Sequence, residues 1–289
     1  FIKIQKLIRV GFFKVNRRKV KANYKVNVSD KIQYSKNSIN ENENKPNKDI
    51  SRILIKYEKQ IADIKKNIIF EDDFLLVINK PHGIPVQGGS NVNFNIDLIL
   101  PILCKNNSSI RLVHRIDKNT SGILLLAKSK EVAQNITMLF KENKIKKKYL
   151  TLVEGKLTKR IGKITLPVTK KKILGIEKMV VDPYSNEKAE TSYKVIDYKK
   201  GLSLLEVYPK TGRKHQIRAH LQSINHPILG DNKYNKANNN QKVLSDKMHL
   251  HAKEIQFVLN DNKYFLKASL PNFFKETIKK INIQNTIYE

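Results

Sequence analysis

Between positions 112 and 128 the chain reads Leu-Val-His-Arg-Ile-Asp-Lys-Asn-Thr-Ser-Gly-Ile-Leu-Leu-Leu-Ala-Lys, and no other stretch constrains the fold as tightly. Residues 118–122 carry turn chemistry. The apolar run 123–127 that follows is a strand candidate, though too short for periodicity alone to separate strand from helix. A run of this kind has to be buried, so Arg115 and Asp117, two apart, are held at the rim of a buried strand. A carboxylate and a guanidinium at such a rim make a candidate site. The plain structural alternative is an Asp that closes a turn beside a solvated Arg.

Length and charge narrow what such a site could serve. The chain has 289 residues, enough for about two domains and a sizeable core. Its formal net charge of +30 points to a polyanion partner, nucleic acid being the usual one. A single cysteine, Cys104, rules out an internal disulfide and a Cys-based zinc site. It lies in the apolar run 98–104 and is expected to be a small buried residue. No apolar run is long enough to span a membrane, and residues 2–13 are interrupted by Lys3, Lys6 and Arg9, unlike a signal peptide. The expected compartment is the cytoplasm. The chain begins at Phe1 rather than Met, as a sequence without its natural start does.

Three stretches are expected along the chain. Residues 1–34 hold ten Lys or Arg against one acidic residue, Asp30. Ile4, Leu7 and Ile8 have helical spacing, 13–16 and 20–28 read as short strands, and Arg17, Arg18 and Lys19 fall at the turn between them. Residues 35–48, rich in Asn, Ser, Lys and Glu, read as a linker, and an amphipathic helix over 50–64 continues it. From 67 to 289 strand-like runs (68–70, 74–79, 149–153, 190–197, 202–207, 263–268) mix with helical patterns at 131–143 and 215–225. Without a regular βαβ rhythm, this predicts an α+β fold on a mixed, mainly antiparallel sheet.

The stretch around Asp117 closely resembles the His-Arg-Leu-Asp-x-x-Thr-Ser-Gly signature of the RluA-type pseudouridine synthases, with Ile116 where the family more often has Leu. Five further segments resemble that family's motifs in order. They are Asn79-Lys80-Pro81-His82-Gly83, Lys147-Lys148-Tyr149, the run from Thr211 through Arg213, His215, Gln216, Ile217 and Arg218 to His220, then His226 to Asp231, and Leu250-His251-Ala252. Segment 86–90 and the S4-like start look most like the RluC subgroup, which acts on large-subunit ribosomal RNA. Residues 15–32 resemble the second half of an S4-type RNA-binding domain, so 1–34 is expected to be a partial S4-like α/β module.

The resemblance implies the pseudouridine synthase fold and a cofactor-free, metal-free isomerisation of uridine on a flipped-out nucleotide. It implies Asp117 as the catalytic carboxylate, acting as nucleophile or base. It implies Arg218 as the guanidinium that keeps that carboxylate ionised, and Tyr149 as the ring that stacks on the uracil and could take the C5 proton. Ile217 is expected on the other face of the base, Arg115 in the gap left by the flipped nucleotide, and Arg213 at the substrate. Lys6, Arg9, Arg17, Arg18, Lys19, Lys146, Lys147 and Lys148 are expected on the RNA backbone. Thr211 is expected to cap a helix beginning near Arg213. The expected partner is ribosomal RNA or a pre-ribosomal particle, with no membrane and no obligate protein partner.

Ordinary structural roles compete at each position: Tyr149 as a strand aromatic, Ile217 as core, Arg213 and Arg218 as a solvated helix face. His215, His220, His249 and His251 invite a metal reading, but their spacing is poor for one and no acidic ligand accompanies them. Two rival functions remain: an S4-type RNA-binding protein with a decayed synthase domain, and, more weakly, a metal-dependent RNA hydrolase. The intact trio Asp117, Tyr149 and Arg218 favours the enzyme.

Overall fold

The computed structural model describes residues 8, 12–34, 52–89, 92–103, 110–173, 176–235 and 244–283. The chain divides into two compact units, Phe1–Lys56 and Tyr57–Glu289. Lys6, Arg9 and Cys104, the first expected helix apart from Ile8, and the expected linker lie outside the described residues.

In the first unit, strands β1 (Phe13–Val15), β2 (Arg18–Lys19) and β3 (Ile32–Tyr34) form an antiparallel sheet in the order β2-β1-β3. The turn after β1 is tighter than expected: Asn16 and Arg17 make it with positive φ (49° and 67°), and Arg18 and Lys19 belong to the strand that follows. The strand expected over 20–28 is absent. Side-chain bonds take that segment away from the sheet. The Asp30 carboxylate accepts from Asn16 Nδ2 (2.7 Å), the Tyr24 hydroxyl (3.0 Å) and the Asn27 backbone N–H (2.9 Å), and the next three residues to pair with β1 are 32–34.

The second unit opens on helix α1 (Glu58–Lys66). Its apolar stripe is buried at Ile61 and Ile64, so this helix packs into the second unit rather than extending a linker. Strands β4 (Ile68–Glu71) and β5 (Leu75–Lys80), helix α2 (Ile96–Leu103), and strands β6 (Arg111–Leu112) and β7 (Ser121–Ala127) follow. Next come α3 (Lys130–Lys141), β8 (Lys146–Glu154), β9 (Ile161–Ile164), β10 (Val168–Ile173), β11 (Ile176–Val181), β12 (Thr191–Lys199) and β13 (Leu202–Pro209). The chain closes with α4 (Gln216–Ser223), β14 (Leu250–Leu259), β15 (Asn262–Lys267) and α5 (Asn272–Lys280).

Ten of these strands make one sheet, in the order β4-β5-β7-β14-β8-β13-β12-β9, with β15 paired to β14 and β6 to β7. Only the junction of β7 and β14 is parallel, through His251 opposite Ser121 and Ala252 opposite Gly122. The mixed, mainly antiparallel α+β architecture is therefore as expected. All seven residues of β7 are buried, which explains its unbroken apolar run. Ile123, Leu125 and Ala127 pack with Leu75, Val77, Ala252 and Phe257, under Val132 and Ile136 of α3. Ser129 caps α3 by accepting from the Val132 N–H at 3.1 Å.

Several elements escaped the sequence patterns. The β10–β11 hairpin carries Lys170, Lys171 and Lys172 in a row, which hides any alternation. Strand β9 spans four residues at the sheet edge, and α5 buries only Phe274, Thr277 and Ile278. Residues 146–148 are hydrogen-bonded to β14 as part of β8.

Candidate active site

Asp117 stands in the loop that joins β6 to β7, and four fixtures hold that loop. His114 Nε2 accepts the Leu125 backbone N–H at 2.8 Å, and its ring lies 4.8 Å from that of Phe140. Burial pushes the His114 pKa down to about 3, with the Lys147 charge adding to it, so the ring stays neutral and able to accept. Ile116 is buried beneath the loop. The Thr120 N–H donates to the Asp117 carbonyl at 3.1 Å and closes the turn.

The fourth fixture is Lys80, a fully buried lysine. Its ammonium donates to the carbonyls of Pro81 (2.8 Å), Ile84 (2.8 Å) and Lys118 (3.1 Å). The Lys118 carbonyl also accepts the Gly83 N–H at 3.0 Å. The Asn-Lys-Pro-His-Gly segment thus braces the turn next to Asp117. Burial pulls the Lys80 pKa down to about 7, opposed by the Asp117 charge; the three carbonyl acceptors favour the ammonium as well.

Arg218 reaches Asp117 from the opposite wall. On α4 it is buried, and its Nη1 donates to Asp117 Oδ2 at 2.9 Å. Its Nε and Nη2 donate to Asp231 at 2.7 and 2.8 Å, and its guanidinium lies 4.8 Å from the centre of the Tyr234 ring. Burial works against the charge of Arg218, but Asp231 and Asp117 outweigh it and hold the guanidinium well above its usual range.

The start of α4 differs from expectation. The helix begins at Gln216, with His215 as its N-cap at φ 51° and no side-chain cap bond. Thr211 does not cap it. Instead the Thr211 hydroxyl donates to Gln216 Oε1 (2.7 Å), which also accepts the Arg213 N–H (3.0 Å). Gln216 Nε2 donates to the Glu190 carbonyl and to Thr191 Oγ1, both at 2.9 Å. A residue in the first turn of the helix therefore bonds back to the loop that leads into it.

A cavity of about 420 Å³ lies between these walls, lined by Arg115, Asp117, Tyr149, Arg213, Ile217 and Arg218 among others. Arg115 is exposed at its mouth, while Ile217 is both core and cavity wall. Arg213 also pairs with Glu187 and donates to the Lys188 carbonyl at 3.3 Å. Tyr149 stands on β8, beside Ala252 of β14 and Val207 of β13. Burial, with Asp117 adding, raises the Tyr149 phenol well above the ordinary tyrosine value. Such a phenol keeps its proton, so a standing phenolate base is ruled out, while stacking and proton relay remain open to it.

The expected backbone lysines separate. Lys147 lines the cavity, where burial lowers its pKa to about 8. Lys148 is already paired with Glu254 (2.8 Å) and Glu206 (3.4 Å), so its charge is committed inside the protein. Lys146 is exposed at the head of β8, and Arg17, Arg18 and Lys19 are exposed in the first unit. The histidines are used internally. His220 bonds Thr191 Oγ1 (2.8 Å) and the Leu166 carbonyl (2.7 Å), and His249 bonds Thr277 Oγ1 (2.9 Å) and the Lys247 carbonyl (2.8 Å). His251 bonds Ser121 Oγ (2.9 Å) and the Ala268 carbonyl (3.3 Å). The residues missed from sequence are Lys80, His215, Asp231 and Tyr234. All but Tyr234 lie within the motifs quoted above; of these His215 was weighed only as a metal ligand, and Lys80 and Asp231 carried no expected role.

Asp117 is thus bonded to a buried guanidinium at the wall of a cavity that Tyr149 and Phe140 also line. Comparison with known proteins places the chain in a family. A family model described as RNA pseudouridylate synthase matches residues 74–223. Ribosomal large subunit pseudouridine synthase C of Buchnera aphidicola subsp. Schizaphis graminum is 32% identical over 284 residues, covering 96% of this chain and 88% of that protein. The protein of the same name from Vibrio cholerae is 30% identical, covering 96% and 87%. Among solved structures, human RNA pseudouridylate synthase domain containing 4 superposes with a TM-score of 0.67 at 28% identity, over 78% of this chain and 97% of that one. Human domain containing 1 shares the fold, with a TM-score of 0.61 at 23% identity, over 71% and 83%. This chain belongs to the RNA pseudouridylate synthase family.

Proposed function

We propose that this enzyme converts specific uridines of large-subunit ribosomal RNA to pseudouridine, with Asp117 as the reacting carboxylate. The observation that carries the reading is the 2.9 Å bond from Arg218 to Asp117 at the wall of the cavity that also holds Tyr149 and Ile217. The relatives named above act, by their names, on the large ribosomal subunit. The cytoplasm is the proposed compartment.

The chemistry is an isomerisation. The N1–C1′ bond breaks, the uracil turns, a C5–C1′ bond forms, the C5 proton leaves and N1 gains one. None of this can occur within a base stack, so the nucleotide must swing out into the cavity. Arg218 orients Asp117, as nucleophile or base at the ribose. Tyr149 and Ile217 clasp the base on its two faces, and Arg115 at the mouth fills the gap in the RNA. Arg213, Lys146, Lys147 and the exposed Arg17, Arg18 and Lys19 bind backbone phosphates. Fully retained binding residues with a lost carboxylate would mark a decayed RNA-binding protein; here the trio is intact.

The test is tritium release from C5-labelled ribosomal RNA. Asp117→Asn keeps the size of the side chain and removes its charge, so release should stop while RNA affinity stays near wild type. Continued turnover by that variant overturns the assignment. Sequencing pseudouridines in ribosomal RNA from cells with and without the gene then names the target positions.

A further inference from the structure

His215 lies between two groups that together define its protonation. Its Nδ1 is 2.9 Å from the Tyr234 hydroxyl, and its Nε2 is 3.7 Å from Asp117 Oδ1. Tyr234 is buried, and its hydroxyl accepts the backbone N–H of Met179, on β11, at 3.2 Å. That bond uses a lone pair and leaves the hydroxyl proton to be placed. A buried hydroxyl proton without an acceptor is costly, and His215 Nδ1 is the acceptor within reach. Nδ1 therefore accepts, and the single proton of the neutral ring sits on Nε2, facing Asp117.

The surroundings keep the ring neutral. Burial lowers its pKa to about 4, and Arg218, Lys233 and Lys214 act in the same direction against the pull of Asp117. The left-handed backbone of His215, at φ 51°, fixes where the ring starts from. Asp117 is then flanked on both oxygens: Arg218 bonds Oδ2, and the Nε2–H of His215 faces Oδ1, about half an ångström outside hydrogen-bond range. Contacts of this kind often tighten only when substrate is bound.

We propose that His215 is a positioning residue whose Nε2–H, its tautomer set by the chain from Met179 through Tyr234, steadies Asp117 Oδ1 opposite the bond from Arg218. This rests on Asp117 being the reacting carboxylate. It also ties the β10–β11 hairpin to the reacting group, because Met179 is part of that hairpin.

The test separates donor from shape. His215→Gln puts an amide N–H near the position of Nε2, whereas His215→Met has similar length and no donor. The Met variant should lose about tenfold in kcat with KM unchanged, the size of one hydrogen bond, and the Gln variant should stay within about threefold of wild type. Long-range ¹⁵N histidine spectra provide a second reading that does not depend on turnover. The wild-type ring should carry its proton on Nε2, and Tyr234→Phe should shift it toward Nδ1. Equal kcat in the Gln and Met variants, or an Nδ1–H tautomer in the wild type, overturns the proposal. An active Asp117→Asn overturns the underlying reading and this proposal with it. An inactive Asp117→Asn beside a fully active His215→Met overturns this proposal alone.

Discussion

Asp231 grips Arg218 with both carboxylate oxygens, at 2.7 and 2.8 Å, and leaves Nη1 to turn toward Asp117. Asp231 is itself fixed: its Oδ1 accepts the N–H groups of Lys233 (3.1 Å) and Tyr234 (3.2 Å). A guanidinium held in this way cannot swing to follow a moving substrate. One Nη1–H stays aimed at Asp117 Oδ2, so the pair proposed to carry the chemistry is organised before RNA arrives.

Asp231→Asn should therefore impair both stability and chemistry. It removes one partner of a buried ion pair whose side chains are 8% and 1% exposed, a change that costs roughly 3–5 kcal/mol. Urea unfolding should show that loss, and tritium release should fall even at temperatures where the variant stays folded. Wild-type turnover in folded Asp231→Asn would mean that Arg218 needs no second anchor.

Tyr149 separates ring from hydroxyl. With the phenol held protonated, it can take the C5 proton only while passing its own onward, for which Asp117 is the nearby carboxylate. Tyr149→Phe should keep RNA affinity within about threefold and lower turnover by roughly 10²–10⁴, the range for a lost proton-transfer group. Tyr149→Ala should lose affinity as well, because stacking on a base is worth roughly 1–3 kcal/mol. Near-normal turnover in the Phe variant would confine Tyr149 to stacking.

Lys147, proposed to bind the RNA backbone, should give RNA binding a pH dependence. Its pKa is lowered to about 8, so it is charged below that pH and neutral above it. Affinity for RNA should weaken by roughly tenfold between pH 7 and 9, the scale of one charge-assisted contact. Lys147→Met should bind more weakly at pH 7 and lose this dependence. An equal slope in wild type and variant would assign the titration elsewhere.

Gly122 sits at the parallel junction of β7 and β14 with φ 107°. A Cβ there would overlap the Ala252 carbonyl oxygen and come within 2.6 Å of the Ala252 nitrogen, which is backbone and cannot yield cheaply. Gly122→Ala should cost at least the roughly 1–3 kcal/mol of an overpacked core, read by thermal or urea unfolding. It should also shift the turn that carries Asp117 and so reduce turnover in the folded fraction. Unchanged stability would show that the junction is looser than its contacts imply.

The local content of this protein was written in its sequence. The turn at 118–122 and the apolar run after it placed Asp117 at the rim of a buried strand, and β7 is that strand. The helical spacing near 131–143 and 215–225 located α3 and α4 to within a few residues. These signals are readable because apolar periodicity and turn chemistry act over a few neighbouring residues. What joins distant segments was decided only in three dimensions. Arg218 lies 101 residues from Asp117, and Lys80 reaches the turn at Lys118 across 38. The second anchor of Arg218, the commitment of Lys148 to two glutamates and the facing of His215 toward Asp117 leave no local pattern. Each depends on which strands lie side by side, and the parallel closure of β14 on β7 alone brings His251 against Ser121 across 130 residues. No period in a chain encodes a pairing of that separation; it follows from burying the whole apolar face of one sheet at once.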